Sequence, residues 1–279
     1  MRSLLFVPAD RSERFAKAAA SGADAIIIDL EDSVSLDRKV EGRRATAAYL
    51  AGERPVPVIV RVNPLDSGMT ADDLHAIRAG RPDMIMLPKA EGAGPVEELV
   101  RMMGGNVVPI LPIATETPAA IFELGTYRRV SGYLCGLTWG AEDLPAAIGA
   151  TSAREEDGSY TPPIQMVRSL MLYAAKAAGV AAIETIYPGI ADMDGLAAYA
   201  ARARRDGFTG MMAIHPAQVP VINAAFTPTD EEVAKARRIV AAAETNKGIG
   251  AFQLDGQMID APHIKQAKAI LASAGQAAG

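Results

Sequence analysis

Short apolar runs alternate with longer segments of helical periodicity along most of the chain. A short apolar run bounded by turn residues is typical of a buried strand, and apolar residues three and four apart indicate a helix with one buried face. The predicted strands are Ser3–Val7, Ala25–Asp29, Val58–Val62, Met84–Leu87, Val107–Pro112, Gly132–Gly136, Ala181–Tyr187 and Met211–Ile214. The predicted helices are Glu13–Ala20, Asp37–Leu50, Ala71–Ala79, Pro95–Met103, Pro118–Leu124, Ile164–Ala178, Met193–Asp206 and Asp230–Asn246.

Eight strand-then-helix units predict an α/β fold with a parallel sheet and helices outside it. Eight strands also suit closure into a TIM-type (β/α)₈ barrel, which we expect over residues 1–246. An open doubly wound sheet is the alternative, and it would usually carry a glycine-rich phosphate loop after the first strand. Here Pro8-Ala9-Asp10-Arg11 follows that strand, with neither GxGxxG nor a Walker motif.

The residues from 247 to 279 are surplus to the eight units. Lys247–Gly250 is rich in glycine, Phe252–Asp260 contains an Asp-Gly pair that favours a hairpin, and Pro262–Ala272 has a helical pattern. A barrel needs no such segment for closure. We therefore expect a C-terminal lid or an arm that packs on a neighbouring subunit.

Composition and charge exclude several classes of protein. A hydrophobic fraction of 49% suffices for a large core, and a net charge of −5 provides no basic surface for nucleic acid. Cys135 is the only cysteine, which excludes an intrachain disulfide framework and a cysteine-built zinc site. Met1–Pro8 lacks the apolar length of a signal peptide, and no run reaches the roughly 18 apolar residues of a membrane span. We expect a cytoplasmic protein.

Polar residues cluster where predicted strands end, which is where TIM barrels place their catalytic groups. These ends contain Asp29-Leu30-Glu31-Asp32, Arg61-Val62-Asn63-Pro64, Pro88-Lys89, Thr115-Glu116 and Glu142-Asp143. Carboxylates crowded at one barrel mouth repel each other unless a cation or a proton intervenes. Oxygen ligands without cysteine favour Mg²⁺ or Mn²⁺ over zinc.

Glu116 and Asp143 follow adjacent strands and are the candidate metal ligands. Arg61 is the candidate for binding a substrate carboxylate through its bidentate fork. The alternative is that these acids form structural ion pairs or helix N-caps. Because both carboxylates stand at predicted strand ends, the metal-binding interpretation is favoured.

The same motifs resemble the citrate lyase β-subunit-like proteins of the HpcH/HpaI aldolase superfamily, which includes malyl-CoA and citramalyl-CoA lyases. The resemblance spans nearly the whole chain in order. The matching stretches are Arg2–Ala9, Asp29–Val34, Arg61–Pro64, Pro88-Lys89, Glu116-Thr117, Glu142–Leu144, Gly207–Gly210, Ile214–Gln218 and Asp255–Pro262.

The resemblance implies a TIM barrel that assembles as a trimer or hexamer and uses Mg²⁺. The acids matching Glu116 and Asp143 hold the metal in that family, and the arginine matching Arg61 binds the carboxylate of a 2-oxo acid. The acids matching Glu31 and Asp32 lie beside the metal and its waters.

The resemblance also implies that coenzyme A runs over the barrel mouth. Pro88, Lys89 and Lys39 are therefore substrate-binding candidates, with ordinary solvated charge as the alternative for Lys39. The family's C-terminal segment reaches over a neighbouring subunit's site, where the acid matching Asp260 is catalytic. Asp260 is thus a catalytic candidate, and a helix cap is its alternative role.

Two positions depart from the family pattern. Met211 stands where the family commonly has lysine, which removes a charge near the eighth strand. Glu184 stands where aspartate is frequent, which keeps the charge and lengthens the side chain.

The expected function is Mg²⁺-dependent cleavage of a carboxylated 3-hydroxyacyl-CoA, such as malyl-CoA, citramalyl-CoA or a citryl thioester, into a 2-oxo acid and an acyl thioester. Asp260 would protonate the enolate that cleavage leaves. Three alternatives stay open: an acyl-CoA thioesterase in which the same acid activates water, a coenzyme-A-independent aldolase, and a docking subunit of a citrate lyase complex. The expected partners are a 2-oxo acid, an acyl-CoA and further copies of the chain.

Overall fold

The computed structural model describes residues 1–248 and 250–277, which form two compact units divided between Asn223 and Ala224. The first unit contains eight parallel strands. They are β1 Ser3–Pro8, β2 Ala25–Asp29, β3 Val58–Arg61, β4 Met84–Leu87, β5 Ile110–Pro112, β6 Gly136–Thr138, β7 Ala181–Glu184 and β8 Gly210–Ala213. Its helices are α1 Phe15–Ala19, α2 Lys39–Leu50, α3 Thr70–Ile77, α4 Ala93–Met103, α5 Pro118–Glu123, α6 Asp143–Ala147, α7 Pro162–Ala178 and α8 Met193–Asp206, with α9 Gln218–Phe226 crossing the division.

The strands close into a barrel. They pair in the order β5-β4-β3-β2-β1-β8-β7-β6, and all these pairs are parallel. The remaining seam, between β5 and β6, is joined by bridges at Ile110↔Leu134 and Ile113↔Thr138. Ala114 N also donates across it to Thr138 O at 2.8 Å. The TIM-barrel prediction is confirmed, and an open sheet, which would leave both outer strands unpaired, is excluded.

Side chains fill the barrel interior. Leu4, Ile27, Ile59, Met86 and Leu111 are each at most 1% exposed and belong to one apolar cluster. Burial of each such side chain contributes roughly 1.5–3 kcal/mol to folding. The strands read as continuous apolar runs because helices cover their outer face while this cluster covers the inner one.

One strand prediction was wrong: β6 begins at Gly136, not at Gly132. A 3₁₀ helix, Leu124–Tyr133, takes up the first two residues of the predicted strand. A 3₁₀ helix repeats every three residues, and its buried positions, Leu124, Tyr127 and Val130, follow that spacing. The helix α9 was not predicted, and Pro220 is tolerated in it because it lies in the first turn, where backbone N–H groups have no helical partner.

The second unit begins at Ala224 and contains α10 Asp230–Thr245, β9 Ala251–Leu254, β10 Gln257–Asp260 and α11 Ala261–Ala277. It starts before the predicted boundary at 247 because α10 shares a core with the segment that follows. That core consists of Ala236, Ile239, Ile259 and Ala267.

The predicted hairpin is confirmed, with positive φ at both Asp255 and Gly256, as a tight two-residue turn requires. Ile249, Ala278 and Gly279, which belong to the predicted C-terminal segment, lie outside the described residues. Of the helices described, none combines the length and apolar character needed to cross a bilayer.

Candidate metal and substrate site

A cavity of about 360 Å³ lies at the barrel mouth, where the carboxyl ends of the strands meet. Its polar lining includes five carboxylates and one guanidinium, those of Asp29, Asp32, Glu116, Glu142, Asp143 and Arg61. Its apolar lining includes Phe6, Ile113, Ile186, Met212 and Ile214. The excess of acids over bases gives the cavity an affinity for a cation, and its apolar wall accommodates a carbon chain.

A second cavity, of about 320 Å³, lies between α3 and α4. Its lining combines apolar side chains with His75, Arg78 and Arg81 and contains no carboxylate. It therefore lacks the ligands for the predicted chemistry.

Arg61 is held by two acids from the neighbouring strand end. Its Nε and Nη2 each lie 2.7 Å from a different oxygen of Asp29, and its Nη1 lies 2.6 Å from Glu31 Oε2. Burial alone would lower the pKa of Arg61, but these two acids raise it above its ordinary value. The guanidinium fork was predicted to bind substrate, but its Nε–Nη2 edge is engaged by Asp29. Only the outer Nη1 and Nη2 protons remain for a ligand.

Asp29, for which the sequence analysis predicts no role, is the main partner of Arg61. It is 1% exposed and also accepts hydrogen bonds from the backbone N–H groups of Glu31 and Ser33, at 2.9 and 3.1 Å. Burial would raise the pKa of Asp29, but Arg61 and these donors hold it below its ordinary value. A buried acid at the end of a strand was the available signal.

Lys89 joins three of the predicted site residues. Its Nζ lies 2.8 Å from Glu31 Oε1 and 3.8 Å from Asp143 Oδ1, and its backbone N–H donates to Glu116 Oε2 at 2.6 Å. Its φ of 50° lies in the left-handed region, which costs a residue with a side chain roughly 1–3 kcal/mol. The surrounding contacts hold this conformation, which lets one residue present both its amide and its ammonium to the acids.

Glu116 is a buried acid without a paired cation among the described residues. It is 4% exposed, and the amide of Lys89 is its one described hydrogen-bond donor. Burial, reinforced by Asp143 and Glu31, raises the pKa of Glu116 to about 8. Gly140 makes room for it, since a Cβ there would lie 3.0 Å from Glu116 Cγ.

Asp143 begins α6 and faces the same cavity, with its side chain 36% exposed. Together, Glu116 and Asp143 fit a hard divalent cation that keeps water or substrate oxygens in its other positions. No group of three or more His, Cys, Asp or Glu suited to a metal occurs within residues 1–248 and 250–277. A metal at this mouth would therefore be held by a carboxylate pair, not by an all-protein cage.

The other predicted residues differ in their access to the cavity. Asp32 is exposed and lines it, while Glu31 is buried and contacts Arg61 and Lys89. Pro88 is buried and, like Lys89, is not among the residues that line the cavity, so its substrate-binding role remains a prediction.

The prediction that Lys39 binds substrate is contradicted. Lys39 is 6% exposed, and its ammonium donates to Leu30 O at 2.7 Å and to Glu31 O and Asn63 Oδ1 at 2.8 Å. An ammonium has three donors, and all three are used. Lys39 therefore fixes the backbone beneath the acidic motif.

Asp260 lies in the second unit, at the end of β10. Its Oδ1 is 2.5 Å from His263 Nδ1, and its side chain is 33% exposed. A spacing of three residues across a helix start is the sequence signal that Asp260 and His263 could meet. Asp260 as a catalytic group remains a prediction.

Comparison with known proteins agrees with the barrel fold. The family described as HpcH/HpaI aldolase/citrate lyase matches residues 2–216, and a family of carbon–carbon bond lyases of the TIM-barrel fold matches residues 173–276. The fold and site thus define a barrel-mouth carbon–carbon lyase. The chain belongs to the HpcH/HpaI aldolase/citrate lyase family.

Three relatives illustrate this membership. A citrate lyase subunit beta-like protein of Mycobacterium tuberculosis (strain CDC 1551 / Oshkosh) is 40% identical, over 98% of this chain and 95% of the relative. A (3S)-malyl-CoA thioesterase of Cereibacter sphaeroides is 34% identical, over 98% and 94%. A crystal structure of CitE from M. tuberculosis with magnesium, acetoacetate and coenzyme A superposes with a TM-score of 0.83 at 38% identity, covering 98% of each chain.

Proposed function

We propose that this protein is a Mg²⁺-dependent lyase that cleaves a carboxylated 3-hydroxyacyl-CoA, such as malyl-CoA, citramalyl-CoA or a citryl thioester. The products would be a 2-oxo acid and an acyl-CoA. The observation that carries the proposal is the buried carboxylate of Glu116, which has no ion-pair partner among the described residues and lines the same cavity as Asp143 and Arg61. The CitE structure with magnesium, acetoacetate and coenzyme A supports the ligand set.

Glu116 and Asp143 would hold the Mg²⁺. When bound there, the metal stabilises negative charge on the substrate's hydroxyl oxygen and neutralises the two carboxylates. The outer Nη1 and Nη2 protons of Arg61 bind the carboxylate of the 2-oxo acid portion. Asp29 and Glu31 keep the guanidinium charged and rigid, so little conformational entropy is lost when the substrate binds.

Cleavage requires one proton to leave the substrate's C3 hydroxyl and another to reach C2. Asp32 would accept the hydroxyl proton, directly or through water, and its exposed position in the cavity lining supports this role. The C3 oxygen then forms the new carbonyl while the C2–C3 bond breaks, and the bonding electron pair remains on C2, which becomes part of a thioester enolate. Asp260 of a neighbouring subunit delivers the proton to C2, in a homotrimer or hexamer.

A thioesterase is the second candidate, and the 34% identity to a (3S)-malyl-CoA thioesterase supports it. The same cavity would bind the thioester, and Asp260 would activate water for attack on its carbonyl. The C–S bond would break in that reaction, whereas the C2–C3 bond breaks in the lyase reaction.

The products distinguish the two reactions. Malyl-CoA or citramalyl-CoA is incubated with the protein in Mg²⁺ or in EDTA, with 2-oxo acid and free thiol measured in each sample. A lyase produces 2-oxo acid without free thiol, and a thioesterase produces free thiol without 2-oxo acid. Activity that persists in EDTA and in Glu116→Gln would contradict a role for this metal site in either reaction.

A further inference from the structure

A buried carboxylate behind the cavity connects the ends of two neighbouring strands. Glu184, the last residue of β7, is fully buried. Its Oε1 accepts hydrogen bonds from Trp139 Nε1 at 2.6 Å, Tyr199 Oη at 2.9 Å and Thr185 N at 3.0 Å. Its Oε2 lies 2.7 Å from both Nε and Nη2 of Arg168. The proposed mechanism does not use this carboxylate.

The hydrogen bond between Trp139 and Glu184 lies directly after β6, where the backbone pairing of that strand ends. This strand has only three residues, and its register with β7 ends at Thr138↔Ile183. Its other neighbour is β5, joined through isolated bridges at the barrel seam. Beyond Thr138 the chain is tied by Trp139 to Glu184 on one side, and by Gly140 N to Thr115 Oγ1, at 3.3 Å, on the other.

The loop that leaves Trp139 leads directly into the metal site. Gly140 packs against Glu116, and Asp143 lies three residues further along. The indole has no exposed surface, and it makes an edge contact with the Tyr160 ring at a centroid distance of 5.3 Å. It therefore anchors the loop at the cavity wall, of which it forms a part. A buried hydrogen bond to a carboxylate suits an anchor because it is short, directional and costly to break.

We propose that Glu184 is a positioning residue for the metal site and that it acts through the indole of Trp139. By fixing the start of the loop, this bond sets the separation of Asp143 from Glu116 across the barrel seam. The inference rests on the proposed Mg²⁺ binding by these two acids. Mg²⁺ demands near-ideal octahedral geometry, whereas Ca²⁺ tolerates longer and less regular distances. Loosening the loop should therefore weaken Mg²⁺ binding more than Ca²⁺ binding.

Two single substitutions test this with matched chemistry. Trp139→Phe and Tyr199→Phe each remove one donor to the same oxygen, Glu184 Oε1. Only Trp139→Phe removes the hydrogen bond that holds the loop after β6. Mg²⁺ and Ca²⁺ dissociation constants are measured by calorimetry on the full-length protein, with melting temperatures recorded in EDTA. We expect Trp139→Phe to weaken Mg²⁺ binding about tenfold, because loss of a residue that supports metal ligands usually has an effect of that size. Ca²⁺ binding should weaken much less. Tyr199→Phe should stay within about twofold of the parent.

A second pair covers the case in which Trp139→Phe is too unstable to purify. Glu184→Asp keeps the negative charge that faces Arg168, but its shorter side chain cannot reach the indole as well. Asp206→Asn weakens the ion pair that Arg168 makes on its other side, where Asp206 lies 2.8 Å from Nη1. Glu184→Asp should weaken Mg²⁺ binding more than Ca²⁺ binding. Asp206→Asn should lower the melting temperature without changing the affinity for either ion. Trp139 is the only tryptophan, so its emission should respond to Glu184→Asp and not to Asp206→Asn.

Parent-like Mg²⁺ affinity in Trp139→Phe or Glu184→Asp would overturn the inference. Equal weakening by Tyr199→Phe would do so too, because a general loss of packing would then explain the effect. Failure of the proposed function has a different result: the parent would not bind Mg²⁺, or Asp143→Asn would bind it as well as the parent.

Discussion

Glu116→Gln should stabilise the protein in the absence of metal. Glutamine keeps the shape and polarity of the protonated acid but carries no charge to bury. The pKa of Glu116 is raised from 4.5 to about 8 in the folded protein. At about 1.36 kcal/mol per pH unit, that difference corresponds to at most about 5 kcal/mol between the two protonation states, and relaxation around the charge reduces it.

The sign of the pH dependence follows from the raised pKa. Below about pH 4.5 the acid is protonated in both the folded and the unfolded protein, and its contribution to stability is fully present. As the pH rises towards about 8, the unfolded chain loses the proton while the folded protein retains it, so the free energy of unfolding falls. Above pH 8 the loss is complete.

The assay is urea unfolding in EDTA at several pH values between 5 and 9, at about one-unit steps, for the parent and Glu116→Gln. We expect the variant to exceed the parent by about 2 kcal/mol or more near pH 8.5 and by little near pH 5. Glu98→Gln is the control because Glu98 is an exposed acid on α4. A parallel pH dependence in the parent and Glu116→Gln would refute the uncompensated burial of this acid.

Three further predictions concern single residues. Arg61→Lys cannot maintain two parallel bonds to Asp29, so calorimetry should show pyruvate affinity in Mg²⁺ lowered about tenfold or more; parent-like affinity would contradict the assignment. Lys39→Met removes the ammonium that donates to three buried acceptors, so urea unfolding should show about 2–4 kcal/mol less stability with coenzyme A affinity unchanged. Weaker coenzyme A binding at parental stability would restore a phosphate-binding role. Mixed oligomers of Asp260→Asn and Glu116→Ala subunits should regain partial activity that neither parent variant has, and inactive hybrids would count against a shared site.

The positions of the candidate metal ligands followed from sequence because barrel topology brings all strand ends together. Glu116 and Asp143 follow strands that close the barrel, so each was expected at the mouth without knowledge of side-chain packing. The boundary of β6 was harder to predict. The 3₁₀ helix at Leu124–Tyr133 was not predicted as an element, and its last two residues fall at the start of the predicted strand, because a period of three matches neither the strand pattern nor the α-helix pattern.

The partners and burial of charged side chains could not be predicted from the local sequence pattern. Lys39, at helical spacing from the acidic motif, was compatible with a solvent-facing or phosphate-binding role. Its burial depends on how α2 packs against the ends of β2 and β3, which bring Leu30 O and Asn63 Oδ1 to its ammonium. The choice of Asp29 as the partner of Arg61 depends likewise on the β2–β3 register, in which the two residues are direct neighbours.

The sequence by itself determined the eight-unit barrel, the acidic mouth and the C-terminal hairpin, because hydrophobic periodicity and turn residues act over a few neighbouring positions. Only the tertiary structure decided which charges meet. Glu184 reaches Trp139, Arg168 and Tyr199 across 45, 16 and 15 positions of the chain. Burial then makes those pairings strong, since a charge removed from water is stable only beside partners that the fold, not the local sequence, brings to it.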